Sequence, residues 1–269
     1  DFYTKRNLLV LSAIWSEFKH DLNLRLLFTS ICSSLSSKLV RYNLGNRGNG
    51  ILNGTLYVSS LNAETNVFKL LKGKTNDISK ALNLIKENQL TYVGSASNTS
   101  AKNNSIDYIF TDPPFGANIM YSELNFIWES WLKVRTNNVE EAIENKFQNK
   151  SILDYQNLMS SCFKEYYRVL KPGKWMTVEF SNTSAAVWNG IQTALQNAGF
   201  VVANLAAIDK KQGSFKAVTT VTAVKQDLVI SCYKPSSEFD IKFKQHQHTD
   251  VAVWDFVDEH LHHLPVHLT

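Results

Sequence analysis

The β-forming segment Ile106–Thr111 is stopped abruptly by an acidic residue and two consecutive prolines. Proline breaks the hydrogen-bond ladder of a central strand, because the ring removes the backbone N–H and fixes φ at about −65°. The pattern therefore predicts a buried strand that ends in a stiff turn. The residues of this turn are Asp112, Pro113, Pro114 and Phe115.

Strand-like and helix-like segments alternate over residues 90–235, which favours an α/β fold. Strands are predicted at 92–96, 106–111, 174–180, 200–208 and 226–234, and helices at 120–133, 138–149, 152–170 and 184–198. Open sheets of this kind bind ligands beyond the carboxyl ends of their strands. The proline turn is predicted to lie at such an end.

The two flanks of this segment differ from it in pattern. Residues 1–89 predict a helical region with a glycine-containing loop, including helices at about 62–72 and 76–88. Residues 236–269 predict an extension that is polar to Thr249 and then helical through Leu264. We therefore expect three domains, 1–89, 90–235 and 236–269, of which the central one carries the chemistry.

Composition excludes several other classes of protein. No apolar run approaches the roughly 20 residues that cross a bilayer, and no export signal opens the chain, so a cytoplasmic location is expected. Three isolated cysteines predict neither a disulfide framework nor a zinc site. His260, His263 and His267 would share one helical face, but a partly exposed terminal helix explains them without a metal. The formal charge of +4 is too small to establish a nucleic-acid partner by itself.

The proline turn is suited to holding a planar amine. The Asp112 carboxylate and the Pro113 carbonyl can both accept hydrogen bonds from an exocyclic NH2 group, and the Phe115 ring can stack on the ring that carries it. A base in such a pocket has to leave the duplex, so flipping or a single strand is implied. An ordinary surface turn is the alternative that these four residues alone leave open.

The sequence from Ser105 to Leu132, SIDYIFTDPPFGANIMYSELNFIWESWL, resembles the bacterial adenine-specific DNA methylases of restriction-type and phage-defence systems. The segment RVLKPGKW at 168–175 resembles the approach to the fifth strand of the same family. The resemblance implies a Rossmann-like class I methyltransferase sheet and S-adenosylmethionine as methyl donor. It also implies DNA with a flipped adenine as substrate, methylated at N6, and a restriction or defence protein as partner.

The resemblance also assigns roles to particular residues. The turn from Asp112 to Phe115 would be catalytic, and Gly94 with Ser95 would contact the donor where relatives have Gly-Asp-Ala. Contacts with DNA would come from Asn182, Lys210, Lys211 and Phe215. A helix cap at Asn182 and a solvated loop around the lysines are the alternatives.

The donor-binding elements of this family are not recognisable in the sequence. An aromatic-x-Gly-x-Gly turn and the acidic residue for the ribose are missing, and the family order would place them upstream of Asp1. We therefore expect the catalytic half of a methyltransferase, either as part of a longer protein or as a natural truncation. Cytosine N4, RNA and a protein glutamine are the alternative acceptors, and a non-catalytic nucleic-acid-binding or assembly module is the alternative of another class.

Overall fold

The computed structural model describes residues 2–33, 35–42, 49–84, 90–91, 93–117, 119–181, 185–209 and 226–264. The chain packs as two compact units. The first contains Asp1–Tyr92 and Met120–Val139, and the second contains Val93–Ile119 and Glu140–Thr269. The predicted division into three domains stays a prediction.

The first unit is helical, as its sequence predicts. Its helices are α1 (Lys5–Phe18), α2 (Leu22–Cys32), α3 (Val67–Leu82), α4 (Tyr121–Leu124) and α5 (Phe126–Leu132). The first three helices are capped at their amino ends by side-chain oxygens. Thr4, Asp21 and Asn66 accept hydrogen bonds from backbone N–H groups of the first turn. The buried core of this unit consists of Leu11, Phe28, Ile31, Cys32 and Val67.

Two helical predictions in this unit were wrong in their boundaries. A single helix, α3, replaces the two predicted at 62–72 and 76–88, because a glycine in mid-helix weakens a helix without ending it. The predicted helix at 120–133 is divided into α4 and α5 at Asn125.

The second unit contains a mixed four-stranded sheet. Its strands are β1 (Ile106–Thr111), β2 (Leu170–Phe180), β3 (Val201–Asp209) and β4 (Gln226–Tyr233). They lie in the order β1-β2-β4-β3. Strand β2 is parallel to β1, and β4 is antiparallel to both β2 and β3. The predicted α/β fold, closed by a reversed hairpin, is confirmed.

Helices α6 (Ile152–Val169) and α7 (Ala185–Ala198) pack against one face of this sheet. Helix α6 begins with a capping box, in which Ser151 and Asp154 bond to each other's backbone N–H. The core between helices and sheet consists of Tyr155, Met159, Phe163, Leu170, Met176, Val178, Phe180, Val187, Ile191, Ala194, Leu195, Phe200, Ile230 and Cys232. This packing fixes the position of α6 relative to the carboxyl end of β1.

Helices α8 (Ser237–His246) and α9 (Asp250–His263) follow the sheet. The second was predicted, whereas the first lies in a stretch that its polar composition left without a predicted helix. The ring of His263 stacks on Tyr233 at a centroid distance of 4.1 Å, and His260 hydrogen bonds to the Tyr233 hydroxyl at 3.1 Å. These two histidines therefore attach α9 to the end of β4.

Two predicted elements of the second unit are absent from the part of the chain that the structure describes. Val93 to Ala96 do not form a strand, and Tyr92 lies outside the described residues. The predicted helix at 138–149 is replaced by short 3-10 turns at Asn138–Glu140 and Lys146–Gln148. Asn145 is extended and Asn149 is left-handed, and neither conformation continues a helix.

Lys234, directly after β4, is only 8% exposed. Its ammonium group donates to the carbonyls of Tyr167 and Leu170, at 2.7 and 2.9 Å, and to Oδ1 of Asn104 at 2.7 Å. A cation at the carboxyl end of α6 satisfies carbonyls that the helix leaves unpaired. Burial lowers the pKa of this lysine.

We expect Lys234→Met to reduce the free energy of unfolding by about 1–3 kcal/mol, since buried carbonyls lose their donor. Urea denaturation measures the difference. Lys174→Met is the matched control, because Lys174 is exposed. Equal midpoints for the two variants would show that Lys234 does not stabilise the end of α6.

None of the helices in the described segments is long and apolar enough to span a membrane.

Candidate active site

The proline turn follows β1 without interruption. Asp112 is exposed, Pro113 is buried, and Pro114 and Phe115 are half-buried. Gly116 follows with a φ of 74°, a conformation that a side chain would strain. The backbone is therefore packed into the protein while the carboxylate of Asp112 reaches its surface.

Helix α6 holds the turn on both sides of Asp112. The Tyr155 hydroxyl donates to the carbonyl of Pro114 at 2.8 Å. A second side-chain hydrogen bond joins Tyr166 to Thr111, the last residue of β1. Burial raises the pKa of both tyrosines, so both remain neutral phenols at physiological pH. The position of Asp112 is thus fixed by contacts of the residues that flank it.

Phe115 packs against the core at the end of β2. Its ring meets Phe180 edge to face, with centroids 5.4 Å apart and an angle of 87° between the planes. Phe180 is fully buried and lies 6.2 Å from the ring of Trp188 on α7. These contacts hold the aromatic end of the turn, and stacking of Phe115 on a base stays a prediction.

The predicted donor contacts lie in the irregular segment before β1. Gly94 is exposed, and the Ser95 hydroxyl hydrogen bonds to that of Ser97 at 2.8 Å. The predicted DNA contacts Asn182, Lys210, Lys211 and Phe215 all lie outside the described residues. The structure therefore gives the positions of the predicted catalytic turn and of the predicted donor contacts, whereas the predicted DNA contacts lie outside the described residues.

Glu165 and Arg168 of α6 anchor the segment that leads into β1. The Glu165 carboxylate accepts from the backbone N–H and the hydroxyl of Thr99, both at 2.7 Å. Arg168 donates to Glu165 at 2.7 Å and to the carbonyl of Ala101 at 2.8 Å. The segment from Thr99 to Ala101, ahead of β1, is therefore held by a charge-assisted network.

Stability in acid tests this network. The hydrogen bond from Arg168 is the main reason that the pKa of Glu165 is lowered from 4.5 to about 2. A carboxyl whose pKa falls on folding stabilises the protein above pH 4.5, and this contribution is lost as the pH falls towards 2. We expect the melting temperature of the wild type to fall more steeply over this range than that of Glu165→Gln. Parallel melting curves would contradict a role of this carboxylate in acid stability.

The sequence patterns did not single out Tyr155 and Tyr166. Tyr155 belongs to the inward face of α6 with Met159 and Phe163, and it is fully buried. A tyrosine within such an apolar stripe signals a hydroxyl that needs a partner in the interior. The partner itself, Pro114, is distant in sequence and could not be read from the helical pattern.

Among the residues that the structure describes, no group of three or more histidine, cysteine or acidic side chains is placed to hold a metal ion. His260 and His263 instead contact Tyr233, as described above, and His267 lies outside the described segments. Cys32 and Cys232 are buried and Cys162 is half-buried, all as free thiols.

A family model described as DNA methylase, of the N6 and N4 methyltransferase type, matches residues 106–263, more than half of the chain. The match begins with β1 and includes the proline turn, the sheet and helices α6 to α9. The chain therefore belongs to this DNA methylase family. No curated protein sequence gave a match.

Several solved structures resemble the chain at low sequence identity. The PvuII DNA methyltransferase, described as cytosine-N4-specific, is 15% identical, with a TM-score of 0.38, covering 54% of this chain and 49% of its own. A DNA modification methylase from Thermus thermophilus, complexed with S-adenosyl-L-methionine, is 13% identical, with a TM-score of 0.33 and coverages of 56% and 58%.

A SAM-dependent methyltransferase from Methanosarcina mazei is 14% identical, with a TM-score of 0.33, covering 61% of this chain and 79% of its own. The match spans only about half the length of the PvuII and Thermus proteins. The family assignment therefore rests on the sequence match, not on these structural similarities.

Proposed function

We propose that this chain transfers a methyl group from S-adenosylmethionine to the exocyclic N6 amine of adenine in DNA. The observation that carries the proposal is the position of Asp112. Its carboxylate is exposed at the carboxyl end of β1, in a turn that α6 holds on both sides, within a chain of the DNA methylase family.

The residues of the turn have separate roles in the proposed reaction. The Asp112 carboxylate and the Pro113 carbonyl accept hydrogen bonds from the two N–H groups of the amine. They orient the nitrogen lone pair and stabilise the positive charge that develops on nitrogen. Pro114 keeps the turn stiff, and Phe115 stacks on the base. When bound, S-adenosylmethionine supplies a sulfonium methyl group for direct in-line attack, so no covalent enzyme intermediate is needed.

The described residues fit one part of the donor. Gly94 is exposed and lets a ligand approach the backbone, and the Ser95 hydroxyl can hydrogen bond to an adenine ring. The sequence has no aromatic-x-Gly-x-Gly turn, and accordingly none of the four described strands leads into one. We propose that Gly94 and Ser95 contact the donor adenine, while other residues of the full-length protein hold its remainder.

Binding of DNA would involve residues outside the described segments. We propose that Lys210 and Lys211 contact phosphates, while Asn182 and Phe215 lie near the base. A base has to leave the duplex to reach the turn, which favours a flipped adenine or a single strand. The family is also consistent with a restriction or defence-system partner.

A labelled methyl-transfer assay with the full-length protein tests the proposed acceptor. The same donor is offered with duplex DNA, RNA or protein, and label is expected in DNA. Label in RNA or protein alone would identify a different acceptor and contradict the proposal. Calorimetry with S-adenosylmethionine is the accompanying measurement, because absence of donor binding to the full-length protein would favour a non-catalytic module.

A further inference from the structure

A short turn at residues 145–150 presents an aromatic ring to solvent. The backbones of Asn145 and Lys150 exchange two hydrogen bonds, at 3.0 and 2.9 Å. Inside the turn, Oδ1 of Asn145 accepts from the N–H groups of Phe147 and Gln148, at 2.8 and 3.3 Å. The Lys150 ammonium also bonds to the carbonyl of Glu141. The tip of this turn, residues 146–149, is therefore held in one conformation by hydrogen bonds within the turn.

Phe147 at this tip is 98% exposed. An aromatic ring in water forgoes the burial that usually stabilises it, and a turn position can accommodate a polar residue equally well. The other exposed side chains of the turn are Lys146 and Asn149, and residues 145–150 include no acidic residue. The tip therefore presents an aromatic ring, a cation and an amide.

The turn lies close in the chain to a contact with the catalytic segment. Ile143, which is fully buried, forms a parallel bridge with Gly116, directly after Phe115. Phe147 follows Ile143 by four residues, which span at most about 14 Å. The exposed ring and the proposed base pocket therefore belong to neighbouring parts of the same unit.

We propose that Phe147 is a nucleic-acid contact, whose ring stacks on a base next to the one held at the proline turn. This inference rests on the proposed function, because it assumes a nucleic-acid substrate. Turning a base out of a duplex leaves its neighbours with an open face, and an aromatic side chain can cover that face. Stacking is tolerant of sequence, since every base has an aromatic face.

Fluorescence anisotropy with the full-length protein tests this contact, using a short labelled single strand and its duplex as probes. Phe147→Ala is expected to weaken binding about 5- to 150-fold, which corresponds to the loss of one stacked base. Phe147→Trp is expected to retain wild-type affinity, because it preserves the stacking surface. Trp254→Ala is the matched control, since Trp254 is also exposed, at 67%, but lies on α9.

The salt dependence separates stacking from charge. Phe147→Ala is expected to leave the slope of log affinity against log salt unchanged, whereas loss of a phosphate contact would reduce it. Wild-type affinity in Phe147→Ala overturns the inference while leaving the proposed function intact. Failure of the wild type to bind either probe overturns both. Equal thermal midpoints of wild type and variant confirm that the fold is preserved.

Discussion

Replacing Asp112 with alanine is expected to lower the rate of methyl transfer by about 100- to 1,000-fold or more. The carboxylate is the charged acceptor at the turn, and removal of one preorganised electrostatic contact to a transition state has effects of this size. The fold should survive, because Asp112 is exposed, Tyr155 donates to the carbonyl of Pro114, and Tyr166 hydrogen bonds to the side chain of Thr111. The rate is measured with labelled donor, and folding by thermal denaturation.

Asp107→Ala is the matched control for this variant. Asp107 lies on β1, the strand that leads into the turn. It is also exposed, and its carboxylate pairs with Lys171 at 2.8 Å, away from the turn. Its removal should leave the transfer rate near that of the wild type, since surface ion pairs contribute little to stability. Full activity of Asp112→Ala in the full-length protein would rule out the proposed role of the carboxylate.

Tyr155→Phe is expected to reduce kcat by about 10- to 100-fold while changing KM for DNA little. The substitution removes one hydroxyl and leaves the Pro114 carbonyl without its donor, so the turn can shift by a fraction of an ångström. Misplacement of a reacting group by about 1 Å can lower a rate about 100-fold. Tyr155 does not touch the proposed substrate, and we therefore expect it to act by positioning the turn.

The control for this variant is Tyr108→Phe. Tyr108 is 54% exposed, and its hydroxyl donates to Thr177 Oγ1 at 2.7 Å, so the chemical change is the same at a site on β1 away from the turn. If Tyr155 has only a structural role, both variants should lose stability without a specific fall in kcat. A wild-type kcat for Tyr155→Phe would contradict the positioning role.

The position of strand β1 and the helices that cover the sheet could be predicted from the sequence because local signals agree there. The predicted burial of β1 was wrong, since its residues are half-buried or exposed. Two prolines end β1 after Thr111, and α6 combines an amino-terminal cap with an apolar stripe. The hairpin of β3 and β4 was predicted from two apolar segments late in the chain, and the sheet order confirms it. In each case residue spacing and end signals indicated the same element.

Residues 138–149 show why the rest could not be predicted. Their composition permits a helix, but Asn145 accepts hydrogen bonds from the following N–H groups and Asn149 takes a left-handed φ of 54°. Local side-chain hydrogen bonds then compete with the helical backbone. The bridge from Ile143 to Gly116 adds a distant contact that no local pattern contains.

The candidate site was only partly predictable for a related reason. The residues of the turn, Asp112 to Phe115, are contiguous in the sequence. The short motif that they form could therefore be recognised without the structure. The groups that hold the turn, Tyr155 and Tyr166, come from α6 and contact it only after the sheet has formed. Bracing of this kind depends on tertiary packing and leaves no local signature.

We propose that the base amine held by this turn is N6 of adenine. Asp at the first position of the turn favours adenine, and cytosine N4 is the acceptor with the most similar geometry. The most direct test digests DNA that has been incubated with the full-length protein and S-adenosylmethionine, and identifies the methylated nucleoside by mass spectrometry. We expect N6-methyl-2′-deoxyadenosine with the wild type and none with Asp112→Ala. N4-methylcytosine as the product, or equal N6-methyladenine from both proteins, would contradict the account.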